Sequence, residues 1–489
     1  MNAETTATGW TPGVSNVLGF LRRRRHGAAL GALVALAATA YSVLGLVRLL
    51  TFRASAFDLV VFDQAVRGYA TFGAPVEPVV GMRYGVGMDF LQLADHFSPI
   101  VAVLAPLYWI HSGPETLIVA QGALLASAAI PIWHYAERRV GAGPAHLVAV
   151  AYLASWPVAQ AAGFDVHEAA FVPLLSAIMI ERVDAGRMAA AIPAVIGLFL
   201  VKEDMGLLVV GFGVHLLVTR RRMEGAAFVL FGLGALVIVR NVLMPMAGSG
   251  AAGFHWAYGD RGATLGEVVL SVARDPLGAL WQMVSPETKM DTLVLLLWPT
   301  LLTALLSPLV LTALPLVVER FLADRQQWWG TEYHYNAFVV AVLVCAAVDG
   351  AHRLGKRFPG WDVTARWAFA VCVIGVTLIP RFALGDLLEP SFYRGEPHVA
   401  AAREAVAKVP DGVVVEAANS VGPALTARTT VLLWEPRPYG ASWIVADVAR
   451  WTYPFADQDA QRRRVDEALR GGYVKVFERD GYIVLNRPS

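Results

Sequence analysis

The chain has 489 residues and a net charge of +1, from 40 basic against 39 acidic side chains. Hydrophobic residues make up 56% and charged residues only 16%, where a soluble domain carries about 25% charge. A mean hydropathy of +0.52 with long apolar blocks excludes a disordered chain, a coiled coil and an ordinary cytosolic enzyme, and the even charge balance leaves no nucleic-acid footprint.

The first apolar run, 28–50, follows the basic cluster Arg22–Arg25. Ala38-Thr39-Ala40 resembles a signal cleavage site, but the run continues about ten residues beyond it, which reads as a retained anchor. Further candidate spans cover 114–136, 145–163, 169–181, 188–201, 205–219, 226–246, 291–306, 308–322, 336–351 and 366–384. The expectation is about eleven transmembrane helices. Placing Arg22–Arg25 in the cytoplasm puts Arg138-Arg139, Arg182 with Arg187, Arg220–Arg222 and Arg353 with Lys356 and Arg357 on the same side, as the positive-inside rule requires. That alternation holds only if 97–111 does not span. This segment contains Pro99 and Pro106 and ends in Tyr108-Trp109, which suits a helix lying at the outer interface.

The expected architecture is therefore an α-helical polytopic membrane protein in three parts. Residues 1–27 are a cytoplasmic N-terminus. Residues 28–384 are the transmembrane domain, with an outer loop 51–113 that carries interfacial helices. Residues 385–489 form a small extracytoplasmic α/β domain, read from helical patterns at 398–408 and 458–470, five short β-rich runs and a hairpin turn at Arg479-Asp480-Gly481. A lid or packing module is the plainer reading of this tail, since it carries no phosphate loop. The two cysteines, Cys345 and Cys372, lie in apolar stretches, so neither a disulfide framework nor a Cys-based zinc site is expected.

Ionisable residues that hydropathy does not explain collect on the outer side. Asp58 and Asp63 follow the first span. Five positions apart on a helix, they diverge by about 140° and do not act as a pair; an acid there is otherwise an N-cap. His96 stands beside Asp95, suited to a phosphate or to proton transfer, the alternative being that Asp95 or Ser98 simply caps the interfacial helix. Asp165, His167 and Glu168 crowd one turn between apolar runs. D-x-H-E can ligate one divalent ion or orient a substrate, the alternative being a plain wet turn. Lys202-Glu203-Asp204 interrupts an apolar run, and charge at membrane depth points to function unless the loop is solvated. Glu332, Tyr333, His334 and Asn336 lie among aromatics that suit a sugar or headgroup, or simply form an interfacial belt. His255, Trp256, Tyr258 and Asp260 are a weaker set of the same kind.

The strings FDLVVFDQAV (57–66), LADHFSPIVAVLAPLYWI (93–110), GFDVHEAAFVPLL (163–175), VKEDMGLLV (201–209) and EYHYNAF (332–338) resemble, in this order, a bacterial multi-pass membrane family, domain of unknown function 2079. The resemblance covers roughly 40–485. That family is similar to the GT-C glycosyltransferases, which take a sugar from a polyprenyl-phosphate carrier on the outer face of the plasma membrane. The resemblance implies a GT-C-like fold and puts Asp58 where the general-base acid of such enzymes sits. It also puts 97–111 at an interfacial helix and 165–168 in a second acidic outer loop. The acceptor-binding signatures of other GT-C subfamilies are absent.

The expected function is inverting transfer of a sugar from a polyprenyl-phosphate donor to an unknown glycan, lipid or protein acceptor. Asp58 is the base. Lys202, Arg83 or His96 hold the donor phosphate, and Asp63, Asp165, His167, Glu168, Glu203, Glu332, Tyr333 and His334 complete the substrate site. A divalent metal at Asp165, His167 and Glu168 is a candidate cofactor. The competing readings are a lipid or solute transporter, for which inverted repeats are lacking, and a non-catalytic scaffold. They predict, respectively, charges near the bilayer midplane and no hollow joining Asp58 to 165–168.

Overall fold

In a computed structural model, residues 13–248 and 256–488 are described; part of the expected N-terminal segment (1–12) and His255 lie outside them. Five helices are long and apolar enough to cross a membrane: Arg24–Leu50, Pro114–Val140, Arg222–Met246, His334–Arg357 and Val363–Arg381. Other expected spans are shorter or broken. The 145–163 run becomes Ala142–Leu153 and Trp156–Gly163, parted before Pro157, whose missing N–H cannot continue the ladder. The 291–322 block is interrupted after Leu297 by Pro299 and by Leu301 and Leu302, both at positive φ (55° and 58°). Short, interrupted helices are tolerated because neighbouring helices enclose their freed backbone groups. Phe171–Asp184 and Ala337–Arg357 bury most of their apolar side chains in one large core, to which Gly206–Val218 adds Leu208, Val209, Phe212 and Leu216.

The first helix and Pro114–Val140 run antiparallel and in close contact. Gly45 lies against Ile118, and Gly122 against Ala38 and Ser42; a Cβ at either glycine would meet atoms at 2.5 and 2.9 Å. The C-terminal ends of helices 24–50 and 363–381 and the N-terminal ends of 114–140, 171–184 and 337–357 thus gather at one rim of the helical body. The 97–111 segment forms two short turns, Pro99–Leu104 and Ala105–Tyr108. It buries Ile100, Val101, Leu104 and Tyr108 and exposes Val103, Trp109 and Ile110.

The tail folds into a five-stranded sheet, order β2-β1-β3-β5-β4. The strands are β1 Val414–Ala417, β2 Thr430–Leu433, β3 Trp443–Asp447, β4 Val474–Arg479 and β5 Tyr482–Asn486. β1 runs parallel to β2 and β3, and β5 pairs antiparallel with β3 and β4. Asp480 and Gly481 both take positive φ, the geometry of the tight hairpin. Helices Pro397–Ala407 and Gln458–Arg470 pack against the sheet.

The sheet is not a detached module. Ala56, Val60, Val61, Val79, Val80, Phe90 and Ala94 of the 51–113 loop share one apolar core with Val415, Val431, Trp434 and Ile444 of the tail. Gln64 exchanges two hydrogen bonds of 3.2 Å with the backbone of Val431, covering the free edge of β2. Arg403 donates to Leu50 O at 3.2 Å, a cation at a helix C-terminus.

Candidate active site

After Leu50 the chain reverses through Phe52, at φ 56°, and re-enters a helix at Ser55. The first turn, Ala56–Val60, is π-helical and runs on into Val61–Ala70. Such wide turns recur at functional positions. Here it turns Asp58 and Asp63 to different surroundings, as their spacing of five requires. Asp63 is fully buried and accepts from Tyr108 Oη (2.7 Å), Arg67 (2.7 Å) and Thr426 Oγ1 (2.8 Å). These bonds hold the loop on the tail and occupy the acceptors of Asp63, which was expected in the substrate site.

Asp58 is half-buried, and its carboxylate has no hydrogen-bond partner among the described residues. It faces a polar cluster drawn from four separate segments. His96 Nδ1 lies 3.1 Å from Glu203 Oε1, and Phe97 N–H donates to the other oxygen at 3.3 Å. Lys202 Nζ donates to Glu168 Oε1 at 3.2 Å, and His167 Nδ1 lies 2.5 Å from Glu168 Oε2. The His167 ring stacks on His334, with centroids 3.6 Å apart and planes 23° apart. Both ring nitrogens of His334 are buried without a hydrogen-bond partner, an expensive state that marks a site more often than a scaffold.

Charge follows from this packing. Burial, with Asp165 and Glu168 adding repulsion, lifts Asp58 to about 7 against the pull of His96 and Lys202. Burial likewise lifts Asp165 to about 7, opposed by Arg48 and the Ser55 N–H. Burial alone would raise Glu168, but His167 and Lys202 hold it well below the usual range. Burial opposes charge on Lys202, and Glu168 and Glu203 outweigh it and hold the ammonium charged. Burial and Lys202 disfavour a charged His96, but Glu203 and Asp95 outweigh them, so its pKa stands above the ordinary value. Burial pushes His167 down despite Glu168. The cluster thus offers a cation at Lys202, an imidazole at His96 whose charged form Glu203 and Asp95 favour, an imidazole at His167 whose neutral form burial favours, and two carboxylates, Asp58 and Asp165, near their midpoints at neutral pH.

Asp165 does not point along with its neighbours. Its Oδ2 accepts from Ser55 N–H at 2.8 Å, bracing the start of the Asp58 turn. Among the described residues no three His, Cys, Asp or Glu side chains converge as metal ligands. Of the Asp165–His167–Glu168 metal candidates, Asp165 faces the backbone of another loop and Glu168 is paired with Lys202. Arg83 pairs with Glu435 at 3.2 Å and lies over the Phe57 and Tyr453 rings at 5.4 and 5.2 Å; it borders the cluster from the tail side. Tyr333 touches only the border, through Phe164 at 5.3 Å, and Glu332 is exposed.

Two residues that motif reasoning passed over belong here. Arg320 is buried, donates to Tyr335 O at 2.6 Å, lies 3.7 Å from Asp204, and keeps one terminal nitrogen without a hydrogen bond. The detectable signal was a charge at the end of an apolar run. Asn419, after β1, accepts from the backbone at Ala56 and Phe57; nothing local in the sequence announces it.

Fold and site together define a polytopic membrane protein with a polar cluster at one rim of its helices. The chain belongs to the family described as "Predicted membrane protein (DUF2079)", which it matches over residues 48–484. No curated protein matches the sequence. Among solved structures, the fold is similar to ArnT from Cupriavidus metallidurans bound to undecaprenyl phosphate. The TM-score is 0.53 at 14% identity, covering 94% of this chain and 98% of that one. ArnT in the apo state gives 0.53 at 12% identity, covering 94% and 97%. The archaeal oligosaccharyltransferase AglB from Archaeoglobus fulgidus gives 0.46 at 12% identity, covering 96% and 75%. The likeness to ArnT is one of overall fold, over nearly the whole length of both chains.

Proposed function

We propose that this protein is a membrane glycosyltransferase that takes a sugar from a polyprenyl-phosphate carrier at the outer face of the plasma membrane and inverts the anomeric centre on transfer. The observation that carries the reading is Asp58: an unpartnered carboxylate lifted to about 7, facing Lys202 and His96, in a fold shared with a protein solved with undecaprenyl phosphate. A general base works best when its pKa lies near the operating pH.

In the reaction, an acceptor hydroxyl attacks the anomeric carbon and its proton passes to Asp58. The bond from that carbon to the phosphate oxygen breaks, and polyprenyl phosphate leaves. The leaving group needs its charge balanced more than it needs a proton. Lys202 and His96 supply that charge, with Arg320's spare N–H and Arg83 at the border, by charge-assisted hydrogen bonds. Glu168 and Glu203 keep the two cations charged and oriented. The stacked imidazoles of His167 and His334 present neutral donors and acceptors to sugar hydroxyls. The outer-face placement is supported by the alternation of Arg and Lys clusters. The tail, fused to the 51–113 loop, would then lie outside as well.

The test is Asp58→Asn in membranes supplied with radiolabelled lipid-linked sugars. Transfer collapses if Asp58 is the base; transfer at the wild-type rate removes it from that role.

A further inference from the structure

A helix begins with N–H groups that its own carbonyls cannot reach. In the turn that carries Asp58, other parts of the chain reach them. Ser55 N–H goes to Asp165 Oδ2 at 2.8 Å. Ala56 N–H is shared between Asn419 O at 2.7 Å and Asn419 Oδ1 at 3.0 Å. Phe57 N–H reaches Asn419 Oδ1 at 3.2 Å, and Ser55 Oγ donates to the same oxygen at 3.2 Å. The local cap, Ser55 Oγ, accepts from Phe57 N–H at 3.2 Å, and a second capping oxygen, Asn419 Oδ1, comes from the C-terminal domain, 364 positions along the chain. Asn419 stands where β1 ends, and the buried strands β2 and β3 flank β1 on both sides, so its backbone is fixed by the most rigid part of that domain. Behind it, Gly422 lies flat against Ala56: a Cβ there would sit 2.7 Å from the Ala56 Cβ.

We propose that Asn419 is a positioning residue for Asp58, and that the C-terminal domain acts in the reaction by clamping the base-bearing turn in place rather than by touching substrate. The proposal rests on the glycosyltransferase reading for its kinetic consequence only. Asn is a strong N-cap because its side-chain oxygen meets the first N–H groups of a helix. Without that oxygen, the turn keeps Ser55, Asp165 and the bond from Ala56 N–H to the Asn419 backbone but loses the side-chain acceptor shared by Ser55 Oγ and the Ala56 and Phe57 N–H groups. Displacements on the order of an ångström at a reacting group cost about a hundredfold in rate.

The experiment uses the full chain in nanodiscs of defined phospholipid and has two readouts. The first needs no substrate. N,N′-dicyclohexylcarbodiimide modifies protonated carboxyls in apolar surroundings, and mass spectrometry of the 54–67 peptide follows modification of Asp58 against pH, with Asp63 as an internal comparison. Asn419→Ala is expected to lower the midpoint of Asp58 modification by about half a unit or more, because a loosened turn admits water. The second is kcat and KM on whichever undecaprenyl-phosphate-linked sugar the wild type consumes. Asn419→Ala is expected to lose roughly ten- to a hundredfold in kcat with little change in KM, and Asn419→Asp, which keeps the capping oxygen, to recover most of it. If Asn419→Ala does not fold, Gly422→Ala, which displaces the same turn from the sheet side, is measured in its place. An unchanged midpoint together with an unchanged kcat overturns the proposal. A shifted midpoint in a protein whose wild type consumes no lipid-linked sugar supports the clamp and overturns the glycosyltransferase reading instead.

Discussion

The helical body carries two polar clusters, one at each rim, and several of the same helices contribute to both. Phe171–Asp184 is preceded by Glu168 and ends with Glu181 and Asp184; Ala337–Arg357 is preceded by His334 and later presents Asp349 and Arg353. At the rim away from Asp58, charges are matched. Arg138 reaches Glu181 at 2.6 Å and Asp184 at 3.1 Å. Arg139 binds Asp184 and approaches Asp349 at 3.6 Å. Asp349 also accepts from Ser307 at 2.6 Å and Arg353 at 2.7 Å. At the Asp58 rim, both His334 nitrogens and one Arg320 nitrogen are buried without a hydrogen bond. Charges that tie helix ends together are satisfied within the protein. Charges that await a ligand leave valences open and are buried at a cost that only a ligand or transition state repays.

The largest expected effect separates the rims by chemistry. Asp58→Asn removes the base and should lower transfer by about 10²–10⁴-fold, measured as release of labelled polyprenyl phosphate, whereas Glu181→Gln at the other rim should leave transfer intact. Equal losses from both would erase the distinction. Next is Lys202→Met, which leaves Glu168 buried beside a neutral His167. Breaking a buried pair by removing one partner costs about 3–5 kcal/mol, so thermal unfolding in detergent should move sharply downward. A Glu168→Gln/Lys202→Met double variant should regain part of that loss. If the double variant is no more stable than Lys202→Met, the pair is not the unit described here.

How much of this was legible in the sequence follows from what each feature depends on. Asp58, His96, His167, Lys202 and His334 stood out because an ionisable side chain beside a long apolar run needs a reason, and that rule works on local sequence. Asp63 obeyed the same rule, but its partners Tyr108 and Thr426 come from elsewhere in the fold and could not be read locally. The direction of Asp165 was equally hidden: side-chain direction in a turn is decided by the neighbouring loop, here Ser55. Helix continuity was harder to read: Pro157, Pro299 and Pro308 break apolar runs that hydropathy sees as continuous. Arg320 hid at the end of such a run. Asn419 was beyond reach, since its role exists only once β1 brings it to Ala56. The strands and the Asp480-Gly481 turn were readable from alternation and turn chemistry, but their fusion with the 51–113 loop was not.

A smaller effect is the pH dependence of transfer. With Asp58 at about 7, the base form grows tenfold per pH unit below that value and saturates above it. Turnover at subsaturating donor should climb from pH 5 to 7 and level off beyond. Stability should run the other way. The folded state holds this proton more tightly than the unfolded chain does, so the contribution is full below the ordinary carboxylate range and is lost as pH rises through 7. Asp58→Asn, which cannot ionise, should therefore unfold at a higher temperature than the wild type at pH 8 and close to it at pH 4. A pH-independent difference between the two proteins would mean that burial at this position is relieved by some other route.

The smallest effect belongs to the paired rim. Arg353 is half exposed, and its carboxylate partner Asp349 keeps Ser307 and Arg139 when the guanidinium is removed. Exposed ion pairs contribute about 0–1 kcal/mol, so Arg353→Ala should shift the unfolding midpoint by no more than about 1–3 °C and leave transfer unchanged at every pH. The redundancy is the reason: each acid at this rim has a second donor, so no single deletion strands a buried charge. A large loss of stability in Arg353→Ala would show that the network is cooperative rather than redundant. A loss of transfer would show that the two rims are coupled through the helices they share.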